Sequence, residues 1–184
     1  MSERSHPEPS AHLHRRAPLA MTAIGWLVAC APAPPAPSPR LAVPSAAVDE
    51  PTQLQRDCDS GDAKRCNLLG MRFVSGKGVS EDAAKAAVLF RRACDNGEAA
   101  GCGNLGVLYF EGKGVEKDAA RAIELWTLAC DRGDASGCYA LGNSYEYGLG
   151  VARDTAAAAR VYRRSCRGGL RMGCDALSRL GEAP

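Results

Sequence analysis

The sequence predicts an all-α protein: an α/α solenoid in which antiparallel helix pairs stack into a right-handed superhelix, with one disulfide per repeat. The first observation is that eight cysteines recur every 36 residues in two series, Cys58, Cys94, Cys130 and Cys166, and Cys66, Cys102, Cys138 and Cys174. The second is that each period contains two stretches of helically spaced apolar residues, separated by a glycine-rich turn. Repeats of this length bury their apolar faces only by stacking on one another.

Residues 1–30 are predicted to be an export signal with a lipobox-like end. Arg15 and Arg16 supply the positive start of such a signal, and the mostly apolar stretch 17–29 is too short for a membrane span, which needs about 20 apolar residues. The signal ends in Leu-Val-Ala-Cys, which resembles the lipobox of bacterial lipoproteins and implies that Cys30 is lipidated. The alternative is ordinary signal cleavage just before Cys30, which would leave that cysteine unmodified.

Residues 31–50 are predicted to be a linker, because they are rich in proline and alanine and show neither helical nor strand periodicity. Such segments favour extended polyproline II, and at about 3.1 Å per residue this one could hold a domain roughly 60 Å from a membrane. Similarity to sorted lipoproteins implies the outer membrane, because Ala31 rather than aspartate follows Cys30. We therefore expect an exported outer-membrane lipoprotein that faces the periplasm or the cell surface, with a secreted protein as the alternative.

Residues 51–184 are predicted to be a repeat domain. It has three complete units, 62–97, 98–133 and 134–169, and a partial unit, 170–184, while residues 51–61 supply the end of a preceding unit. The units share a Leu-Gly pair, a G-x-G-V turn, an aspartate and an aromatic residue at fixed offsets. The glycines of the pairs are Gly70, Gly106 and Gly142, the aspartates are Asp82, Asp118 and Asp154, and the aromatic residues are Phe90, Trp126 and Tyr162.

Each unit is expected to fold as two helices. In the first unit, the first helix should run from about Ala63 to Ser75 and end at the glycine turn, because glycine accepts the left-handed conformation that ends helices. The second helix should start near Asp82, whose negative charge suits a helix N-terminus, and end near Gly97. The repeated aspartates are therefore interpreted as helix starts, and the repeated aromatic residues as packing between helices.

This 36-residue pattern resembles the Sel1-like repeat, a relative of the tetratricopeptide repeat. The added C-x7-C pair makes it similar to the cysteine-rich, Helicobacter-type branch of that family. It departs from the family in its small number of units and at two positions of the third unit, where Leu149 replaces the usual polar residue and Thr155 an alanine. The resemblance implies a protein-binding scaffold, and its cysteine-rich branch implies an alternative, a penicillin-binding protein or weak β-lactamase.

The eight repeat cysteines allow 105 pairings. A continuous helix would hold the two sulfurs of a C-x7-C pair about 12 Å apart, beyond disulfide reach, but the intervening glycine segment reverses the chain. Repeat symmetry then favours four local bridges, Cys58–Cys66, Cys94–Cys102, Cys130–Cys138 and Cys166–Cys174. Such a set is typical of an oxidising compartment. The alternative, a cytosolic zinc site, usually has closely spaced CxxC pairs.

The repeat domain has little means of catalysis. All three histidines, His6, His12 and His14, precede Cys30 and would leave with the signal, which argues against histidine-dependent nucleophiles and metal sites. The β-lactamase signature S-x-x-K is missing, and the G-K-G turns lack the spacing of a phosphate loop. We predict no catalytic residue, metal or cofactor. The formal charge of +2, with basic residues spread along the chain, gives no support to nucleic-acid binding.

The first helices of a solenoid line its concave face, where positions outside the repeat pattern can vary for binding. The predicted binding surface consists of Met71, Ser75, Asn104, Val107, Glu111, Asn143 and Tyr147. Ordinary solvated helix surface is the alternative interpretation of each. The sequence thus predicts a monomeric, non-catalytic interaction scaffold of the cell envelope that is held at a membrane by a lipid anchor. Its partner would be an unidentified protein or peptide, with a peptidoglycan-related protein as one option.

Overall fold

The structure is a computed structural model that describes residues 50–183. These residues form eight α-helices and no strands, which confirms the predicted all-α class. The helices are α1 (Glu50–Asp59), α2 (Ala63–Ser75), α3 (Ala83–Asp95), α4 (Ala99–Glu111), α5 (Ala119–Asp131), α6 (Ala135–Tyr147), α7 (Thr155–Arg167) and α8 (Arg171–Arg179). The predicted export signal, the lipidation site Cys30 and the linker up to residue 49 lie outside the described residues.

The helices form two layers. Each helix packs against the next along the chain, and the even-numbered helices also contact one another, α2 with α4, α4 with α6 and α6 with α8. In the part of the chain that the structure describes, α5 and α7 are the only odd-numbered helices that approach each other this closely. The even-numbered helices therefore form the inner, concave layer of the solenoid, as the sequence predicts, and the odd-numbered helices form the outer layer.

A glycine beneath an aromatic ring sets the distance between the two helices of each unit. Phe90 covers Gly70, Trp126 covers Gly106, and Tyr162 covers Gly142. A Cβ atom at Gly70 would lie 2.6 Å from Cε1 of Phe90, and the ring is 2% exposed. The Leu-Gly pair is thus a packing motif, because any side chain at the glycine would push the second helix away. The predicted packing role of the aromatic residues is confirmed.

The repeated aspartates are N-caps of the outer helices. The side chains of Asp82, Asp118 and Asp154 each accept a hydrogen bond from the backbone N–H three residues further on, at 2.8 to 2.9 Å. The hydrogen bond from the N–H of Lys85 holds the pKa of Asp82 below its usual value. The backbone N–H of Asp82 in turn donates to the carbonyl oxygen of Phe73 at 2.9 Å. The aspartate therefore starts one helix and ties it to the preceding one.

The glycine turns are contacts between units. The second glycine of the middle turn, Gly114, has a positive φ of 69°, and a Cβ atom there would overlap the backbone of Ala83 and Ala84 at the start of α3. Gly150 lies in the same way against Ala119 at the start of α5. These glycines let each unit rest on the preceding outer helix. The interpretation of the G-x-G segments as turns is therefore correct.

The four predicted disulfides are present: Cys58–Cys66, Cys94–Cys102, Cys130–Cys138 and Cys166–Cys174. Their Cα atoms are 4.4 to 4.6 Å apart. Each bridge joins the end of an odd-numbered helix to the start of the next even-numbered helix, so it fixes the corner between successive units. Four such bridges require an oxidising compartment to form and persist.

Candidate binding groove on the inner helices

The inner layer carries a groove of about 480 Å³ between α2 and α4. Its walls are largely apolar, and three of its apolar side chains face solvent: Met71 is 43% exposed, Val74 41% and Val107 40%. Leu68 and Leu108 line the groove beside them. Because the fold leaves these side chains uncovered, the groove has apolar surface available for a ligand.

The polar lining of this groove is positively charged. Arg72, Ser75, Lys77 and Asn104 line it, and no acidic side chain among residues 50–183 does. Arg72 forms an ion pair with Glu50, whereas Lys77 forms none with any residue that the structure describes. The charge at the rim therefore favours an anionic group on the ligand.

A second groove of about 350 Å³ continues the first across α4 to α6. Met71, Asn104 and Val107 line both grooves. The amide Nδ2 of Asn104 donates a hydrogen bond to Oδ1 of Asn67 at 2.8 Å, which holds the side chain on the ridge between them. Asp134 lines the second groove and gives it a negative group that the first groove lacks. The two grooves form one track along the concave face.

The structure brings together four of the seven residues of the predicted binding surface. Met71, Ser75, Asn104 and Val107 line the first groove. The other three, Glu111, Asn143 and Tyr147, lie outside both grooves; the carboxylate of Glu111 pairs with Lys113 at 2.8 Å, and Tyr147 is 57% exposed. Val74 and Lys77 line the first groove but are missing from the predicted set; Lys77 belongs to a segment interpreted only as a turn.

The sequence also gave no indication of a polar cluster at the end of α6. Glu146 is 7% exposed and accepts hydrogen bonds from the hydroxyl of Tyr162 at 2.7 Å and from Nη2 of Arg179 at 2.8 Å. The hydroxyl of Tyr162 also lies 2.6 Å from the side-chain oxygen of Asn143. The residues equivalent to Glu146 in the other two complete units are Val74 and Phe110. This cluster ties α8 to α6 and α7, so Asn143 has a structural partner.

The cluster holds Glu146 in its charged form. Burial disfavours the carboxylate, but the hydrogen bonds from Arg179 and Tyr162, together with the positive charge of Arg179, outweigh it and lower the pKa of Glu146. Burial and the hydrogen bond to Glu146 raise the pKa of the Tyr162 phenol. Neither group can readily exchange a proton near neutral pH, so the cluster is suited to stability rather than to acid–base chemistry.

The groove shows no activated nucleophile. The hydroxyl of Ser75 donates to the backbone carbonyl oxygen of Met71 at 2.9 Å, whereas a nucleophilic serine must donate to a base.

Residues 50–183 contain no group of three or more His, Cys, Asp and Glu side chains that could hold a metal ion. Within the same range, no helix has the length and apolar character needed to cross a bilayer.

The repeat architecture agrees with a known family. The Sel1 repeat model matches residues 66–98, 99–134 and 135–170, which is three consecutive copies. The chain belongs to the Sel1 repeat family. A comparison with curated proteins finds no match. The Sel1 identity accounts for the paired helices and the glycine turns, and the structure adds a disulfide at every corner between units.

Three solved structures are similar to this Sel1 protein. A protective antigen of uropathogenic Escherichia coli with an SLR fold is 32% identical, with a TM-score of 0.65 over 69% of this chain and 27% of its own. A Sel1 repeat protein from Oxalobacter formigenes is 26% identical, with a TM-score of 0.67 over 71% of this chain and 53% of its own. Cysteine-rich protein B of Helicobacter pylori is 27% identical, with a TM-score of 0.57 over 68% of this chain and 96% of its own.

These similarities confirm the solenoid and its relation to the cysteine-rich Sel1 proteins. This chain spans about a quarter of the E. coli protein and about half of the Oxalobacter protein, but nearly all of the Helicobacter protein. None of them supports the β-lactamase alternative, and no arrangement of side chains in the groove favours it.

Proposed function

We propose that the repeat domain is a non-catalytic scaffold that binds a peptide segment of a partner protein in the groove between α2 and α4. The observation that carries this proposal is the exposure of Met71, Val74 and Val107 along one groove of the concave layer. Apolar side chains left uncovered side by side in a groove are typical of sites that bind another molecule. Sel1 solenoids present a concave surface of this kind, which supports a protein or peptide as the ligand.

The lining of the groove favours a particular kind of segment. The three exposed apolar side chains favour an aliphatic or aromatic residue, and Lys77, which lacks an ion-pair partner among the described residues, favours a carboxylate next to it. Asp134, further along the track, would select against a second carboxylate at that end. The proposed ligand is therefore a segment in which an apolar residue is followed or preceded by an acidic residue.

The proposal can be tested by crosslinking. A photoreactive amino acid at Val107 should capture a defined set of envelope proteins from living cells, identified by mass spectrometry. The same amino acid at Leu149, which is 39% exposed in the glycine turn after α6 and lines neither groove, provides a matched control. Val107→Glu should abolish capture from a crosslinker at Met71, because it adds a charge to the apolar wall, whereas Leu149→Glu should leave capture unchanged.

Two results would contradict the proposal. One is identical capture from Val107 and Leu149, which would mean that the groove has no special affinity. The other is turnover of a chromogenic β-lactam by the purified, oxidised protein above the level of a reduced and unfolded sample, because a scaffold has no such activity. A peptidoglycan-related protein among the captured partners would identify the expected type of partner.

We further propose that the protein is an outer-membrane lipoprotein with an export signal, 1–30, a lipidated Cys30 and a linker, 31–50, ahead of the repeat domain. The four disulfides support export, because they need an oxidising compartment. Labelled fatty acid should be incorporated into the natural chain but not into Cys30→Ala. Recovery of the natural chain from the growth medium without label would support the alternative, a secreted protein.

We also propose that the domain is a monomer, because both of its end helices expose polar residues. Gln53 and Arg56 on α1 and Arg171, Asp175 and Ser178 on α8 face solvent. Polar outer faces of this kind are typical of the capping units that end a solenoid and prevent end-to-end stacking. A single species of monomer mass in size-exclusion chromatography with light scattering is expected, and a concentration-dependent dimer would contradict the proposal.

A further inference from the structure

The outer face of α7 gathers four arginines that appear scattered in the sequence. Arg160, Arg163, Arg164 and Arg167 are spaced by three, four and seven residues, which places them on one side of a helix. The opposite side of α7, with Ala158 and Tyr162, is buried in the core. We call these four residues the arginine face. The description of the basic residues as spread along the chain is therefore wrong for this helix, because the helical turn brings them together.

The arginine face keeps positive charge that no neighbour neutralises. Arg163, which is half-buried, pairs with Glu182 at 3.0 Å, and the exposed Arg164 pairs with Asp131 at 2.9 Å. Arg160 and Arg167 are exposed and form no ion pair with any residue in 50–183. Residues 151–183 as a whole contain seven arginines, no lysine and three acidic residues. This stretch is thus strongly basic, and the two members of the arginine face that form no ion pair, Arg160 and Arg167, lie two helical turns apart, about 10 Å.

The repeat itself shows that the fold does not require Arg160 and Arg167. The equivalent residues of α3 and α5 are Val88 and Glu124 for Arg160, and Asp95 and Asp131 for Arg167. The three helices α3, α5 and α7 nevertheless have the same length and the same N-cap. A positive charge at the end of a helix is favourable, but two of the three units have aspartate there instead. Packing and helix formation therefore do not explain Arg160 and Arg167.

We propose that the arginine face binds the anionic headgroups of a phospholipid bilayer. Exposed arginines near an anionic membrane are attracted to it over about 8 Å at physiological ionic strength. A bilayer is the occupant, rather than an acidic protein, because the proposed lipid anchor at Cys30 and its linker keep the domain within about 60 Å of one. In that choice the inference rests on the proposed function. Because α7 belongs to the outer layer, contact through the arginine face leaves the groove between α2 and α4 open to a partner.

The test is a vesicle partition assay on the purified full-length chain with its disulfides intact. The quantity measured is the ratio of two partition coefficients, one for phosphatidylcholine vesicles that contain phosphatidylglycerol and one for phosphatidylcholine alone. Taking the ratio cancels any apolar insertion of the N-terminal region. Arg160→Gln with Arg167→Gln should lower the ratio about thirty-fold, because each arginine near an anionic surface contributes about fivefold. Added salt should weaken the natural chain's preference for anionic vesicles.

The control is a second double variant with the same change in net charge, Arg56→Gln with Lys64→Gln. Both residues are exposed on α1 and α2, away from α7, and neither has an ion-pair partner among the described residues. This variant should keep the ratio of the natural chain. Equal losses in the two variants, or a ratio near one for the natural chain, would overturn the proposal.

Two further results separate the alternatives. In the first, polyglutamate competes with anionic vesicles for the natural chain, and both are expressed as concentrations of negative charge. If polyglutamate displaces the chain at a lower charge concentration than that of the vesicles, the arginine face is a protein-docking face and the proposal is overturned. In the second, fatty acid is not incorporated at Cys30. This result would contradict the lipid anchor but would not change the ratio of partition coefficients, so the two proposals can be refuted independently.

Discussion

Replacing Gly70 by alanine tests the contact that sets the spacing within a helix pair. The new methyl group would lie 2.6 Å from Cε1 and 2.7 Å from Cδ1 of Phe90, far inside van der Waals contact. Phe90 is 2% exposed, so its ring is in contact with neighbours that would have to shift with it. Overpacking of this kind costs about 1–3 kcal/mol, whereas alanine in place of glycine within a helix contributes about 1 kcal/mol. We therefore expect Gly70→Ala to lower the free energy of unfolding by about 1 kcal/mol, within a range of about 0–2 kcal/mol.

A double-mutant cycle makes this prediction specific. Phe90→Ala alone should cost about 3–5 kcal/mol, because it removes a buried ring. In that background Gly70→Ala should become stabilising by about 1 kcal/mol, because the methyl group enters the vacated space and only the helix propensity remains. Urea unfolding followed by circular dichroism measures all four proteins. Ser178→Ala is the control: Ser178 occupies the equivalent position of α8, is exposed, and should change stability by less than about 0.5 kcal/mol.

The reasoning would be refuted by a single result. If Gly70→Ala destabilises the Phe90→Ala protein as much as the natural one, contact with the ring is not the reason for the glycine. Backbone conformation would then be the remaining explanation.

Three more predictions concern stability. Replacing Cys94 and Cys102 by serine should lower the free energy of unfolding by about 2.5 kcal/mol, because the bridge closes a nine-residue loop and so reduces the entropy of the unfolded chain. A loss below about 0.5 kcal/mol in urea titrations would contradict this entropic account. Asp118→Ala should lower the free energy of unfolding by about 1 kcal/mol in the same assay, because it removes an N-cap. Glu98→Ala, at a helix start without a side-chain cap, should lower it by almost nothing. Equal losses in the two variants would be inconsistent with capping. Glu146→Gln should cost about 1–2 kcal/mol at neutral pH. Because the pKa of Glu146 is lower in the folded protein than its unfolded value of about 4.3, its contribution is complete above that pH and is lost as the pH falls through the folded pKa. The pH-dependent unfolding curve of Glu146→Gln should lack that acid-side component, and an unchanged curve would contradict the assignment.

The repeated features could be predicted because three copies report the same physical requirement. The helix bounds of the first unit, the N-cap at Asp82 and the pairing of Cys58 with Cys66 all agree with the structure. A turn, a cap and a local bridge depend on residues close in sequence, and repetition distinguishes them from chance. The contact between Gly70 and Phe90 is also repeated, but its partners are 20 residues apart, and the sequence alone did not relate them.

Other features that the sequence did not reveal occur in one copy only. Glu146 replaces an apolar residue, and its partner Arg179 lies in the partial fourth unit, so neither matches a pattern. In the sequence, Arg160 and Arg167 look like part of an even distribution of charge. Counting charges along the chain does not show which basic residues share a helix face. In a repeat protein, the positions where one unit departs from the others carry the information about its specific role.

The order of the disulfides along the chain has a consequence for how the protein matures. Every bridge joins a cysteine to the next repeat cysteine in sequence, eight residues later. A chain that enters an oxidising compartment from its N-terminus can therefore form each native bridge as soon as the second thiol emerges, before the next pair arrives. Oxidation in order of arrival gives the native pattern, so maturation needs an oxidant but no isomerase. The proposed lipidation would convert the thiol of Cys30 to a thioether. It would thus remove the ninth thiol, the only one of the nine that could pair with a repeat cysteine without having a native partner of its own.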